Sequence, residues 1–339
     1  MRKAPALVVA LGVFAALVTT VPIGYLAVRL VQGWQLALAE ILRFRTLELL
    51  GNTGLLVLAV TASALVIGFS QAWLTTKTNV VFASGFAVTA ALPLAIPSYV
   101  MALSYISIFN GLSGFFAAWL VLTLATSPLV FLAVTAALAR LDSSSEEVAR
   151  TLGLGRLQVL FKVTWPQVRT AATASGLLVA LYVLGEFGAI ALLRYDTFTR
   201  AIYNAYRGSF DRTSAAALAV VLLLITLLVI WFERKYRGGY VASKKQLGKK
   251  LRVELGAWRL PAALWLGLIA IFSTALPISS LVIWSIQGSA NLDLAVLLDA
   301  LWGSLQLAGL AGIGIGIFGT AIALWSIRYR SRLGQVVEW

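Results

Sequence analysis

The 339-residue chain contains no cysteine and no histidine. The first absence excludes disulfides and thiolate metal sites, and the second removes the commonest general base and the commonest metal ligand. Ordinary hydrolytic or redox catalysis therefore has little to work with, and no metal site is expected. Charge is scarce as well, at 12% of residues, with 13 acidic side chains against 27 Lys and Arg. No Gly-x-x-x-x-Gly-Lys-Ser/Thr phosphate loop occurs, so the chain lacks the backbone cradle that P-loop ATPases use. What is present is apolar: 60% of residues are hydrophobic. That composition rules out a soluble globular domain and predicts an all-α polytopic membrane protein. The net charge of +14 does not point to nucleic acid, because the basic residues are divided among the segments between apolar runs. Membrane orientation accounts for them.

About eight transmembrane helices are predicted, at roughly 4–28, 52–74, 80–109, 116–139, 171–193, 214–232, 260–286 and 301–327. An amphipathic helix over 32–50 is expected on the far side, and a short loop around Lys77 joins the second and third spans. The third span contains Leu92-Pro93-Leu94-Ala95-Ile96-Pro97-Ser98-Tyr99. Two prolines four residues apart remove two helical hydrogen bonds and break or kink it. Irregular backbone at membrane depth survives only against protein or a water-lined cavity. Pro93, Pro97, Ser98 and Tyr99 are thus candidates for a substrate path, a purely structural kink being the competing reading. With the N-terminus in the cytoplasm, 20 of the 27 Lys and Arg fall on the inner side and 7 on the outer. The densest group, in a linker at 234–259, fits an inner loop close to anionic headgroups.

Between the fourth and fifth spans lies a charged island, Ser143 to Pro166. Ser144 with Glu147 three residues on is a capping-box pattern, Glu146 and Glu147 suit a helix N-terminus, and Gly153 and Gly155 supply a stop. Leu157, Leu160, Phe161 and Val163 suggest a second amphipathic piece, and Thr164 before Trp165-Pro166 restarts a helix with proline in its first turn. The order Glu147-Val148-Ala149, three residues, Gly153, nine residues, Val163-Thr164-Trp165-Pro166 resembles the EAA loop of binding-protein-dependent ABC-transporter permeases, with Val148 and Trp165 replacing the usual Ala and Leu. In that family the loop is a cytoplasmic coupling helix that docks on a separate ATPase. The resemblance assigns ATPase coupling to Glu146, Glu147, Val148, Ala149, Gly153, Val163 and Pro166. It also implies an ATPase dimer carrying ATP and Mg, an extracytoplasmic substrate-binding protein, no cofactor on this chain and a place in the inner membrane.

Span five carries Gly185-Glu186-Phe187-Gly188, and Glu186 is the one acidic residue placed inside a span. An intramembrane carboxylate is a functional candidate by default, although Glu186 could instead reach the interface or pair with Arg194. The following run, Leu192 to Tyr203, is similar to ferric-iron permeases of the family, with thiamine-type permeases close behind. The expected function is therefore a translocation subunit and not an enzyme, importing ferric iron or another small solute such as thiamine, a polyamine or a small anion. An ion-coupled secondary transporter is the second reading, for which a buried Glu186 and broken helices also make sense. A membrane scaffold or split-gene remnant is the third.

Pro22 to Gln32-Gly33 and Pro277 to Gln287-Gly288 share one internal spacing, and Leu47-Glu48 and Gly68 correspond to Leu298-Asp299 and Gly319. The chain starts again, as transporters with internal repeats do. The expected organisation is a six-helix permease unit over 1–233, the linker, and an incomplete repeat over 260–339. On that basis a second coupling loop must come from a second permease chain or from a form longer by about 200 residues, since domains split from core partners lose the packing that specifies them. Ser304, Gln306, Gly309, Gly312, Gly314 and Gly316 would meet lipid or that partner.

Overall fold

A computed structural model describes residues 5–141, 144–208, 212–236, 253–288 and 293–328. It is helical throughout, and among the described residues the single extended pairing is an isolated bridge between Thr78 and Val253. Two compact units are distinguished, 35–284 and the pair 1–34 with 285–339.

The larger unit is built on three long helices, α3 (Phe44–Lys77), α6 (Gly114–Leu138) and α9 (Trp165–Gly185), and their shared apolar faces form its core. α1 (Ala6–Gln32) and α2 (Trp34–Ile41) precede them. Of the three, α6 is the most enclosed, with Val121, Leu122, Val130 and Val134 fully buried. Small residues allow the close approach. A Cβ on Gly68 would lie 2.6 Å from the Ser127 carbonyl oxygen and 2.6 Å from the Val130 Cβ. Backbone cannot move aside cheaply, so Gly68→Ala should destabilise the bundle by about 1–3 kcal/mol. The expected result is a several-fold lower folded yield in detergent. A wild-type yield and melting temperature would show that α3 and α6 do not meet there.

By length and composition, seven helices among the described residues can cross a membrane, and a bent pair makes up to eight. The bent pair is the predicted third span. Its arms, α4 (Ala83–Ala91) and α5 (Ser98–Ile108), meet at 100° across a 3-10 turn over Leu92–Ala95. The prolines explain the break: Pro93 opens the turn, and Pro97 supplies the carbonyl that accepts from Met101 N–H at the start of α5. An open groove of about 590 Å³ at the elbow is lined by Ala87, Val88, Ala91, Leu92, Leu94 and Ala95. Its walls carry no polar side chain suited to a charged solute.

Three expectations require correction. The amphipathic helix over 32–50 is interrupted at Leu42-Arg43, where an ion pair between Glu40 and Arg43 and a bond from the Thr46 hydroxyl to the Glu40 carbonyl turn the chain. Its second half joins α3, whose 34 residues span about 50 Å, well beyond the hydrocarbon layer. The helix after the island does not restart at Thr164. α8 (Arg156–Val159) runs through a π-helical turn over Leu160–Thr164 directly into α9. Pro166 has no N–H to give, and the wider turn, in which Trp165 N–H reaches back to Leu160 O, fits its ring into a continuous helix. Finally, the fifth span ends at Gly185, because Glu186 is extended, and a short α10 (Gly188–Leu192) follows.

The same device recurs in the seventh span. α13 (Arg259–Ala270) passes through a π-helical turn over Ile271–Ala275 into α14 (Leu276–Gly288), again with proline as the second residue after the turn. Pro277 cannot supply a donor five residues ahead of Phe272, and the Tyr105 hydroxyl donates to the Phe272 carbonyl at 2.7 Å instead. Thr274 Oγ1 donates to Thr89 O, and the Ser107 and Ser280 hydroxyls meet at 2.8 Å, so this span touches both arms of the bent pair.

In the smaller unit α1 packs on α15 (Leu294–Arg328), with Gly12 against the Trp325 ring and Phe14 stacked on Phe318. Gly309, Gly312, Gly314 and Gly316 have open space where a side chain would stand. Of the basic linker, 237–252 lies outside the described residues.

Candidate functional site

Two groups of residues gather the chemistry, one at each end of the larger unit. The first is the island. α7 (Ser144–Thr151) ends on Gly153, whose φ of +82° is a left-handed conformation natural to glycine. Leu154 N–H returns to Ala149 O and Gly153 N–H to Arg150 O, the two bonds of a Schellman C-cap. Gly155 N–H then bonds Gln158 Oε1 at 3.1 Å, a reach-back from the third helical residue that opens α8. The Ser144 side chain, on which the predicted capping box depends, lies outside the described residues, as does Ser143.

The two glutamates part company. Glu147 is exposed, whereas Glu146 is only 3% exposed. Glu146 Oε1 takes the Lys77 ammonium at 3.2 Å and the Thr164 hydroxyl at 3.0 Å. Three helices are joined by one carboxylate oxygen: Lys77 ends α3, and Thr164 closes the π turn before α9. Lys77, expected in a short loop between the second and third spans, is the last residue of α3 and 7% exposed. Ala149 is buried beside this tie, Val163 is half-buried and Pro166 is exposed. On the open side, Val148, Leu152 and Phe161 are 58%, 77% and 64% exposed. The loop is therefore anchored by its polar side and offers its apolar side.

The second group surrounds the breaks in the helices. Glu186 lies one residue beyond α9 and is 9% exposed. Its Oε1 accepts Ala189 N–H at 3.0 Å, capping α10, and its Oε2 accepts the Ser98 hydroxyl at 2.8 Å from the first residue of α5. The Tyr182 phenol interacts with both Ser98 and Glu186. Thr199 Oγ1 donates to the Glu186 carbonyl at 2.7 Å. The alternative pairing with Arg194 is not formed: both carboxylate oxygens are engaged, and Arg194 stands beyond the other end of α10 with a φ of +55°. Glu186 is also not inside a span but at its end. Of the other path candidates, Pro93 is buried in the elbow, Pro97 is exposed, and Tyr99 is half exposed with its Cβ against Gly188. Ser98 and Glu186 meet through a hydrogen bond, and Tyr99 packs against the first residue of α10.

The segment after Glu186 locks this end. The Tyr195 hydroxyl donates to Asn52 O, and Phe198 N–H donates to Thr53 Oγ1. Burial holds the Tyr195 phenol above its ordinary pKa. Phe198, fully buried, starts α11 (Phe198–Arg207), which packs with Leu49 of α3 and with Leu218 of α12 (Arg212–Tyr236).

Lys77, Tyr182 and Thr199 are not singled out by the sequence, and Thr164 is marked there only as a helix start within the motif. Thr164 lay inside the motif and Lys77 was the one charge in a short loop, but each gains meaning from a partner 18 or 69 residues away. No sequence signal marks Tyr182 or Thr199.

Residues 64–236 match the family model described as binding-protein-dependent transport system inner membrane component. A curated relative, the Fe(3+)-transport system permease protein FbpB 2 of Haemophilus influenzae, is 32% identical over 98% of this chain and 67% of its own. The sulfate transport system permease protein CysT of Salmonella typhimurium is 31% identical over 49% of this chain and 67% of its own. The ferric transport system permease protein FbpB of Actinobacillus pleuropneumoniae is 27% identical over 65% of this chain and 35% of its own. With its membrane-spanning helices and these matches, the chain belongs to the binding-protein-dependent transport system inner membrane components, the multi-pass permease subunits of ABC transporters.

Proposed function

We propose that this permease imports ferric iron, with residues 144–166 as the coupling loop through which a separate ATPase dimer, holding ATP and Mg, drives the bundle. The observation that carries the coupling assignment is the division of that loop into a buried polar anchor, Glu146 with Lys77 and Thr164, and an exposed apolar face of Val148, Leu152 and Phe161. An apolar face on a short helix held from behind is suited to insertion into a partner's groove. Ferric iron is favoured over sulfate because the likeness to the ferric relative runs over 98% of the chain and that to the sulfate relative over 49%. The N-terminus lies in the cytoplasm, in line with the excess of Lys and Arg on the loop side. A substrate-binding protein delivers its ligand at the opposite end, near Ser98 and Glu186. The second coupling loop that a two-ATPase engine needs is supplied by a further permease segment, in the same polypeptide or another. ATP-driven closure of the ATPase dimer moves the loop and rearranges the helices between outward-open and inward-open states.

The test is purification of the transporter with its ATPase subunit, followed by reconstitution in proteoliposomes. Ferric-loaded binding protein is expected to stimulate ATP hydrolysis and iron uptake, and sulfate- or thiamine-loaded binding proteins are not. Failure of the ATPase to co-purify would remove the coupling assignment. Stimulation by the sulfate- or thiamine-loaded protein alone would change the substrate and leave the coupling in place.

A further inference from the structure

Burying a lysine and a glutamate together at the end of a helix is costly, and leaving either one alone is costlier still. Lys77 and Glu146 are nevertheless nearly fully enclosed, and the Glu146 oxygen that meets Lys77 also accepts from Thr164. The same residue that holds the loop by its side chain holds another segment by its backbone. Lys77 O accepts Val253 N–H at 2.7 Å, Asn79 N–H donates to Val253 O at 3.2 Å, and Leu255 N–H donates to Asn79 Oδ1 at 3.0 Å. Residues 253–255 lead through a 3-10 turn over Gly256–Trp258 into α13, and Leu255 and Leu266 bury their side chains with Leu74 and Val80. α13 continues through its π turn to the bonds with Tyr105, Thr89 and Ser107 on the bent pair. The α5 arm of that pair begins with Ser98, which holds Glu186. An unbroken series of packed helices and hydrogen bonds therefore runs from α7 to the opposite end of the unit.

We infer that Lys77 is a positioning residue for energy coupling: its ion pair with Glu146 carries the movement of the coupling helix into α3 and, through residues 253–255, into the seventh span and the bent pair. Coupling through α9 alone, which the continuous helix from α8 would provide, does not need Lys77. The inference rests on the coupling assignment and goes beyond it: that assignment uses the anchor only to hold the loop in place, whereas here movement passes through it. A lysine that merely stabilised the fold would affect the amount of folded transporter and not the communication between its two sides.

The experiment uses the whole transporter in proteoliposomes and measures basal ATP hydrolysis and its stimulation by ferric-loaded binding protein. Lys77→Met is expected to keep the ATPase in the complex and basal hydrolysis near wild type, while the stimulation falls about tenfold, within the range of ordinary coupling free energies. Lys77→Arg, which retains an ion pair, should restore stimulation to within about threefold of wild type. Thr164→Val removes only a hydrogen bond that orients the carboxylate, and should lower stimulation about threefold at an unchanged yield. Wild-type stimulation in Lys77→Met overturns the inference, and so does a loss of stimulation that only parallels a loss of folded complex and is not rescued by arginine. Should Lys77→Met fail to accumulate, Thr164→Val decides, and unchanged stimulation there counts against the tie. A wild-type complex that responds to none of the ferric-, sulfate- or thiamine-loaded binding proteins would instead remove the coupling assignment, and this inference with it.

Discussion

Replacing Gly153 by leucine is expected to abolish ATP-driven uptake while leaving insertion and accumulation of the chain intact. The φ of +82° is the cause, because no atom lies within 4 Å of where a Cβ would stand and steric obstruction within the chain plays no part. A side-chain-bearing residue held left-handed costs about 1–2 kcal/mol. The simplest relief is to abandon that conformation, which breaks the two cap bonds from Gly153 and Leu154. The turn between α7 and α8 would then re-aim, and Val148 and Leu152 on one side of it would no longer share a surface with Phe161 on the other. α7 itself would stay in place, since Glu146 anchors its first turn to Lys77 and Thr164. Gly153→Asn, in which the left-handed conformation is tolerated, should retain most of the activity. Glu147→Ala should be milder than Gly153→Leu, because Glu147 is exposed and its removal costs at most a cap of about 1 kcal/mol and one contact to the ATPase. Uptake in proteoliposomes and co-purification of the ATPase are the measurements. Near-normal uptake by the leucine variant at normal expression would sink the coupling assignment.

What the sequence made legible follows from local rules. The two prolines of Leu92 to Tyr99 must interrupt a helix wherever they sit, and the 100° elbow is their direct result. Gly153 ending a short polar helix is equally local, and the Schellman bonds are found where the glycine implied them. The longer-range features were not accessible in this way. Glu146 and Glu147 are adjacent on one helix, and which of them turns inward depends on how α7 lies against α3 and α9. The motif drew attention to Glu147, and Lys77 with Thr164 selected Glu146. The π turns were missed because the proline rule by itself predicts an interruption. Both helices avoid one by widening a single turn just ahead of Pro166 and Pro277. Glu186 was recognised as anomalous from its type and setting, but its partner Ser98 is 88 residues away and lies across an elbow whose angle no local pattern specifies.

Glu186→Ala is expected to lower ATP-driven uptake more than it lowers folded yield, and the glutamine variant is what separates the two roles of the side chain. In the structure the carboxylate does structural duty, capping α10 through Ala189 N–H and linking α9 to α5 through Ser98. Hydrogen bonds to a charged group are worth about 1.5–3 kcal/mol each, so alanine should cost some folded protein. Glutamine can keep both contacts, its carbonyl accepting from Ala189 N–H and its amide donating to the Ser98 oxygen. If Glu186 were only a brace, glutamine would restore yield and uptake together. A carboxylate that also faces the moving substrate should behave differently, because its charge is held near the membrane end at a cost in stability that a neutral amide avoids. The expected result is a Glu186→Gln transporter with near wild-type yield and uptake reduced about tenfold, the change that loss of roughly 1.4 kcal/mol of transition-state interaction produces. Ser98→Ala, which leaves the α10 cap untouched, should show a smaller loss of uptake. The same liposomes address ion coupling: uptake should stop when ATP is withheld and persist when proton and sodium gradients are collapsed, whereas a gradient-driven carrier would show the reverse. Full uptake by Glu186→Gln would return Glu186 to a bracing role and move the search for the path to the other residues around the elbow.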